Sequence, residues 1–368
     1  MTSILTSKSD PSAAVGKAVQ SALDTEDRAD RARLMEATLA EAMRRRSPAA
    51  QRMAAGAFTV FLAHHGHATR IRSLVPLLLK PHRETAAGMS ALLRGWGAVL
   101  AVGLLGEFPD IPRQTLLQRL DEVADCLDDC SLKAEAVLAS RAMLAVRLGD
   151  PELAKRTAAR LRELRPARAE SEKDDNENDS DEPDAVPLCA AFWHQLEAEC
   201  HLVAGDSAAA LAAAAGLIDG SDACDTSVCA VAPRALLGAV LQGLRAAGNA
   251  ELAEQLHVRG LDLATGQPGA QREIGFHASH LAATGRAAAG LELVMAHCEL
   301  ARAHASPFQL RDFLHGALDC AASAKSVAVA RAAPAIATLL GCPRDSAWRE
   351  ASTVHDSLCA AFHARLIT

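Results

Sequence analysis

Four side chains between residues 194 and 201 carry groups that bind metals or move protons: His194, Glu197, Cys200 and His201. On a helix, His194, Glu197 and His201 fall at i, i+3 and i+7 on one face, with Cys200 adjacent. Zinc can use such a set. It also needs three or four convergent ligands, each oriented by its own hydrogen bond, and one helix seldom supplies them all. The favoured reading is the plainer one, in which His194 and His201 sit on the partly buried face of an ordinary helix. Two further histidine groups, "HHGH" at 64–67 and "FHASH" at 276–280 with His277 and His280, offer metal binding or proton switching. Ordinary loop or helix-face histidines are the favoured reading of both. Cys126 and Cys130 are one helical turn apart, and Cys224 and Cys229 lie in a Gly/Asp/Ser-rich loop. Neither pair builds the double CxxC frame of a structural zinc, although the loop pair has the placement of a redox couple. Asp121, Asp125 and Asp128 of "DEVADCLDDC" share a helix face, as the magnesium-holding aspartates of all-α isoprenoid synthases do. Such enzymes need a second metal-binding helix and an aromatic pocket, and aromatics make up 3 % of this chain. A solvated acidic face is therefore expected, with an all-α metal-dependent enzyme using helix 121–129 as the lesser alternative. No phosphate-cradling glycine loop, nucleophile elbow or Ser/His/Asp arrangement is found. No catalytic residue, metal site or cofactor is assigned.

The elements that position these groups follow from composition. Half of the 368 residues are hydrophobic, tyrosine is absent, and alanine dominates the apolar content. Alanine is the strongest helix former, whereas strands favour β-branched and aromatic side chains. No strand-like alternation is found, so the expectation is an all-α protein whose helices pack through small side chains. The formal charge of −7 is concentrated in one place. Glu170–Asp184, "ESEKDDNENDSDEPD", carries nine acidic residues and one lysine. The remainder is near neutral, which argues against direct nucleic-acid or membrane-surface binding. The N-terminus lacks a basic start followed by an apolar run, and the most apolar window, 96–106, is too short to span a bilayer. A cytoplasmic protein with free thiols is expected.

Four divisions result. Residues 1–16 are polar and expected to be disordered. Residues 17–166 are helical repeats or a separate bundle. Residues 167–187 form an acidic disordered linker, because they hold too little apolar surface to offset ordering. Residues 188–368 resume the helical pattern. Arg156, Arg160, Arg162 and Arg165 precede the acidic run, and that run is expected to lie on this basic face and compete with an acidic partner.

A repeat emerges when the chain is aligned on Gly149, Gly205, Gly248 and Gly285. Each glycine is followed by a polar residue and a second helical run. Seven residues before it stand Ala142, Ala198, Leu241 and Ala278, and five after it Ala154, Ala210, Ala253 and Gly290. Seven of the eight are Ala or Gly, which lets two antiparallel helices approach closely near the turn. The intervals of 43 and 37 residues suit a helical hairpin repeat. "AMLAVRLGDPELAKRTAARLREL" and "LEAECHLVAGDSAAALAAAAGLI" resemble tetratricopeptide repeats, with a helix, a Gly-Asp turn and an Ala-bearing second helix. The resemblance covers roughly residues 135–165 and 192–305. The tyrosines typical of that family are missing, and Pro166 is the only repeat-ending proline.

The resemblance implies an α-solenoid of antiparallel helical hairpins wound into a right-handed superhelix, with the last helix capping the array. It further implies a non-catalytic scaffold or adaptor that binds a protein or peptide segment in its concave groove. In the family the first helix of each repeat lines that groove. Carried over, this points to Arg147, Gln195, Glu199, Gln242, Arg245, Arg272 and Ser279. A sensory or regulatory module working with a separate DNA-binding partner is the alternative.

Overall fold

The computed structural model describes residues 11–64, 68–79, 89–127, 133–174, 190–219 and 231–367. Helices account for nearly all of these, and no strand occurs among the described residues. In chain order they are α1 Pro11–Leu23, α2 Arg28–Arg45, α3 Pro48–His64, α4 Ala68–Leu78, α5 Met89–Leu105, α6 Arg113–Cys126, α7 Lys133–Leu148 and α8 Pro151–Asp174. There follow α9 Ala190–Val203, α10 Ser207–Ala213, α11 Ala215–Asp219, α12 Val231–Ala239, α13 Leu241–Ala246, α14 Ala250–Ala264 and α15 Gln271–Ala283. The chain closes with α16 Ala287–His304, α17 Pro307–Ser323, α18 Ser326–Leu340 and α19 Ala347–Ile367. The all-α expectation therefore holds. No single helix among the described residues is long and apolar enough to cross a membrane; the bent pair Ser326–Leu340 and Arg344–Leu366 passes that test by length and composition.

The glycine corners show how local sequence ends one helix and starts the next. Gly149, Gly205, Gly248 and Gly285 all have positive φ, between 66° and 80°. Only a residue without a Cβ takes this conformation at little cost. Each glycine N–H donates to the carbonyl three residues back, and the following N–H donates to the carbonyl five residues before itself. This pair of bonds satisfies carbonyls that a helix end leaves open. In three corners the residue after the glycine also starts the next helix. Asp150, Asp206 and Asn249 accept the backbone N–H of Leu153, Ala209 and Leu252 through their side chains. Gly-Asp and Gly-Asn thus stop one helix and cap its successor. All eight small-pair positions are buried. Where the geometry is explicit, at Gly290, an added Cβ would stand 3.3 Å from the Ala278 carbonyl and 2.3 Å from Cys320 Sγ.

Alternate helices stack on one another: α3 on α5, α5 on α7, α7 on α9, α9 on α12, α12 on α15, α15 on α17 and α17 on α19. The intervening helices pack against their chain neighbours. This pattern runs unbroken through the N-terminal third. Glycine permits the closest crossings. A Cβ on Gly97 would meet Gly56 Cα at 2.7 Å, and one on Gly275 or Gly316 would meet backbone of the facing helix at 2.2 Å. The hydrophobic core passes the acidic stretch without a break, since Leu196 and Cys200 belong to the cluster that begins at Val15.

Two boundaries differ from the sequence reading. Helix α1 starts at Pro11, inside the segment expected to be disordered, and α8 continues to Asp174, inside the expected linker. The first eight residues of that linker, 167–174, are therefore helical. Residues 175–189, the bulk of the acidic run, lie outside the described residues, as do His65 to His67, Cys130, Cys224 and Cys229. Residues 307–340 form α17 and α18, and α18 packs chiefly on α16. Helix α19 does more than cover the end of the stack, because its final turn returns to α7.

Candidate functional site

The seven candidate groove residues divide into two groups. Arg147, Gln195, Glu199 and Arg272 converge on the molecule's interior. Arg272 lies between two carboxylates, with Nη1 at 2.6 Å from Glu199 Oε1 and Nε at 3.2 Å from Asp312 Oδ2. Gln195 Nε2 donates to Glu199 Oε2 at 3.4 Å. Burial alone would depress the Arg272 pKa, but Glu199 and Asp312 outweigh it and the pKa is raised. Arg147 Nε meets Glu107 Oε1 at 3.3 Å. Burial pushes the Glu107 carboxyl up, against the attraction of Arg147. Phe308 sits among the guanidinium groups of Arg147, Arg272 and Arg311, at 5.9, 5.1 and 4.7 Å from its ring centre. Its backbone N–H donates to Glu107 O at 3.2 Å.

Arg365, in the last turn of α19, closes this lattice. Its Nη atoms donate to the carbonyls of Gly106, Phe108 and Arg147 at 2.8 to 3.0 Å. Burial holds its pKa down at about 10. The side chain is 3 % exposed, so these bonds are made away from water. Sequence reasoning missed Glu107, Phe308, Asp312 and Arg365. They come from three distant segments: Phe308 and Asp312 are one turn apart on α17, but no spacing joins them to Glu107 or Arg365.

Gln242, Arg245 and Ser279, the other three candidates, line a cavity of about 480 Å³ between α13, α15 and α17. Phe276, His315 and Asp319 complete its polar and aromatic lining. A hydrogen-bonded chain fixes Arg245 from behind. Its Nη1 lies 3.1 Å from His280 Nδ1. Arginine can only donate, so His280 Nδ1 must accept, and the neutral ring then carries its proton on Nε2. That nitrogen lies 3.1 Å from Glu254 Oε2, to which it donates. Arg286 grips Glu254 with two bonds, 2.7 and 2.5 Å long. These bonds, Arg286 first, hold the Glu254 carboxyl down at about 2.

His280 stacks on His257, whose Nδ1 is 3.1 Å from His277 Nδ1. Burial lowers the pKa of all three rings, aided by neighbouring imidazoles at His257 and His277 and by the Arg245 charge at His280. His277 is pushed down to about 3 and His257 to about 4, and His280 is lowered too. The structure therefore brings His277 and His280 together with a third ring that the sequence reading did not single out. His257 lies on α14, and only the α14–α15 packing places it there.

The constellation at 194–201 separates. Glu197 Oε1 lies 3.3 Å from Arg162 Nε, and Arg162 Nη2 lies 3.0 Å from His201 Nε2, so these groups link α8 to α9. Cys200 points away, toward the Ala142 carbonyl on α7. Burial pushes its thiol well above the ordinary range. Asp121 and Asp125 are exposed on α6, and Asp128 lies outside the described residues. Among the described residues no group of three or more His, Cys, Asp and Glu side chains is placed to hold a metal ion. No protein-family model, curated protein or solved structure matches the chain.

Proposed function

We propose that the chain is a tetratricopeptide-like α-solenoid of antiparallel hairpins, wound into a right-handed superhelix, acting as a non-catalytic scaffold that holds a segment of a partner protein. One observation carries this reading: four glycine corners repeat the same hydrogen bonds and feed a continuous stack of alternate helices. A fold built this way extends its surface by repetition and offers long faces for another chain. The docking face is drawn more narrowly than the sequence alone draws it. Arg147, Gln195, Glu199 and Arg272 are committed to the interior lattice, which leaves Gln242, Arg245 and Ser279, the three that line the cavity, as candidates.

The test is retention of cytosolic proteins on the immobilised chain, with retained partners mapped by cross-linking. Wild type should hold a partner whose cross-links fall on α13, α15 and α17, and Arg245→Glu with Gln242→Ala should release it without changing the melting temperature. Retention no greater than that of an unrelated helical protein, or cross-links confined to other faces, would overturn the reading.

A further inference from the structure

The cavity between α13, α15 and α17 has features that partner docking does not require. Arg245 is half-buried there, and its hydrogen-bond partner among the described residues is a neutral imidazole nitrogen of His280. No carboxylate of the described residues lies within ion-pair distance, although Asp319 is near enough to favour its charge. Burial lowers the Arg245 pKa, which measures how poorly the protein compensates this guanidinium. Ser279 Oγ is buried at the same wall without a hydrogen-bond partner. A polar atom in that state costs about 1–3 kcal/mol unless something bonds it. Across the cavity stands Asp319, its Oδ2 3.6 Å from His315 Nε2. Ala239, Ala282, Ala283 and Ala322 line much of the remaining wall with small apolar surface beside Phe276. The volume falls within the range of about 300–1,000 Å³ typical of small-molecule sites.

A simple carboxylate would meet Arg245 but be repelled by Asp319, and a simple amine would meet the reverse. A molecule carrying both charges satisfies both poles. We propose that this cavity binds a small zwitterion of amino-acid size, its carboxylate on Arg245 and Ser279, its ammonium toward Asp319, and its apolar body against Phe276 and the alanines. The hydrogen-bonded chain through His280, Glu254 and Arg286 sets the aim of the Arg245 guanidinium. The site shares Arg245 and Ser279 with the partner-binding reading but does not depend on it: the assay below uses the purified chain alone, so either can fail without the other.

The experiment is a thermal-shift screen of the full chain against each common amino acid at about 10 mM, followed by calorimetry. At roughly ten times Kd, a binder should raise the melting temperature by about 2 °C. The N-acetyl derivative, which lacks the ammonium, and the amide, which lacks the carboxylate, should each bind about tenfold more weakly or worse. Arg245→Gln should lose binding while keeping its ligand-free melting temperature. Ala322→Leu, which fills the cavity without touching a charge, should do the same. Asp319→Asn should weaken binding of the amino acid and strengthen that of its N-acetyl derivative. A screen in which no amino acid shifts the melting temperature would overturn the proposal. So would equal affinity for a hit and its two derivatives, or full binding by both Arg245→Gln and Ala322→Leu.

Discussion

At the scale of single residues, this protein places charge where alanine-rich helices would be expected to place only apolar contact. Arg272 keeps two buried carboxylates tolerable. Removing one partner of a buried ion pair leaves the other uncompensated, at a cost of about 3–5 kcal/mol. Arg272→Ala should lower the stability read by urea denaturation by about that amount. Adding Glu199→Gln and Asp312→Asn should restore most of it, because the stranded charges are then gone. The histidine cluster makes a second prediction, with a definite sign. His257 and His277 have folded pKa values of about 4 and about 3, below the unfolded value of about 6.5. The unfolded chain therefore binds more protons between these limits. The contribution is fully present above about pH 6.5 and is lost as the pH falls toward 4 and 3, with a slope of about 1.4 kcal/mol per pH unit for each proton taken up. Urea midpoints measured from pH 7.5 to 5 should fall accordingly, and His257→Gln with His277→Gln should flatten the curve.

At the scale of helices, two kinds of glycine do different work, and mutation separates them. Gly275 and Gly316 bring α15 and α17 together backbone to backbone, and a Cβ at either would stand 2.2 Å from a carbonyl oxygen. Gly275→Ala must push the helices apart and should cost about 3 kcal/mol. Gly205 has open space around it and a φ of 80°. Gly205→Ala should cost only the left-handed backbone penalty of about 1–2 kcal/mol. Thermal denaturation of the two variants side by side checks the contrast. The corner glycines were legible in the sequence because everything they need is local: a helical run, a glycine, an Asp or Asn, and another run. The crossing glycines were not, because "REIGFHA" and "FLHGALD" declare nothing about each other until the helices are stacked. The same limit divides the candidate site. The family's groove, carried over, pointed to all seven residues alike; it could not tell that Arg245 and Ser279 share a cavity whereas charged groups of other helices already meet Arg147, Glu199 and Arg272. Glu107 lies in what the sequence shows as mere punctuation between helices, and Arg365 lies in a helix read as a cap. The His194–His201 cluster looked like a ligand set because spacing along one helix ignores the neighbouring helices. Arg162 on α8 and Ala142 on α7 decide where those side chains point.

At the scale of the whole molecule, Arg365 joins the last helix to the α5–α6 corner and the end of α7. Its donors satisfy three backbone carbonyls in a buried setting. Arg365→Met removes these bonds, leaving Phe108 O only the long Ile111 N–H bond of 3.3 Å, and should destabilise the chain by about 3 kcal/mol. The loss should appear first as faster hydrogen exchange at the Phe308 amide, whose own bond to Glu107 lies in the same lattice. A second consequence concerns the order in which the chain is made. Arg365 bonds Gly106 across 259 residues of sequence. A ribosome adding about 5–20 residues per second needs roughly 10 to 50 s to cover that interval. Throughout it, the nascent helices can pair with their neighbours, but the carbonyl of Gly106 lacks its guanidinium donor and that of Phe108 has only the Ile111 N–H, at 3.3 Å. The seam of the structure is thus left unsewn during most of translation, and that interval is when a chaperone would find this chain most exposed.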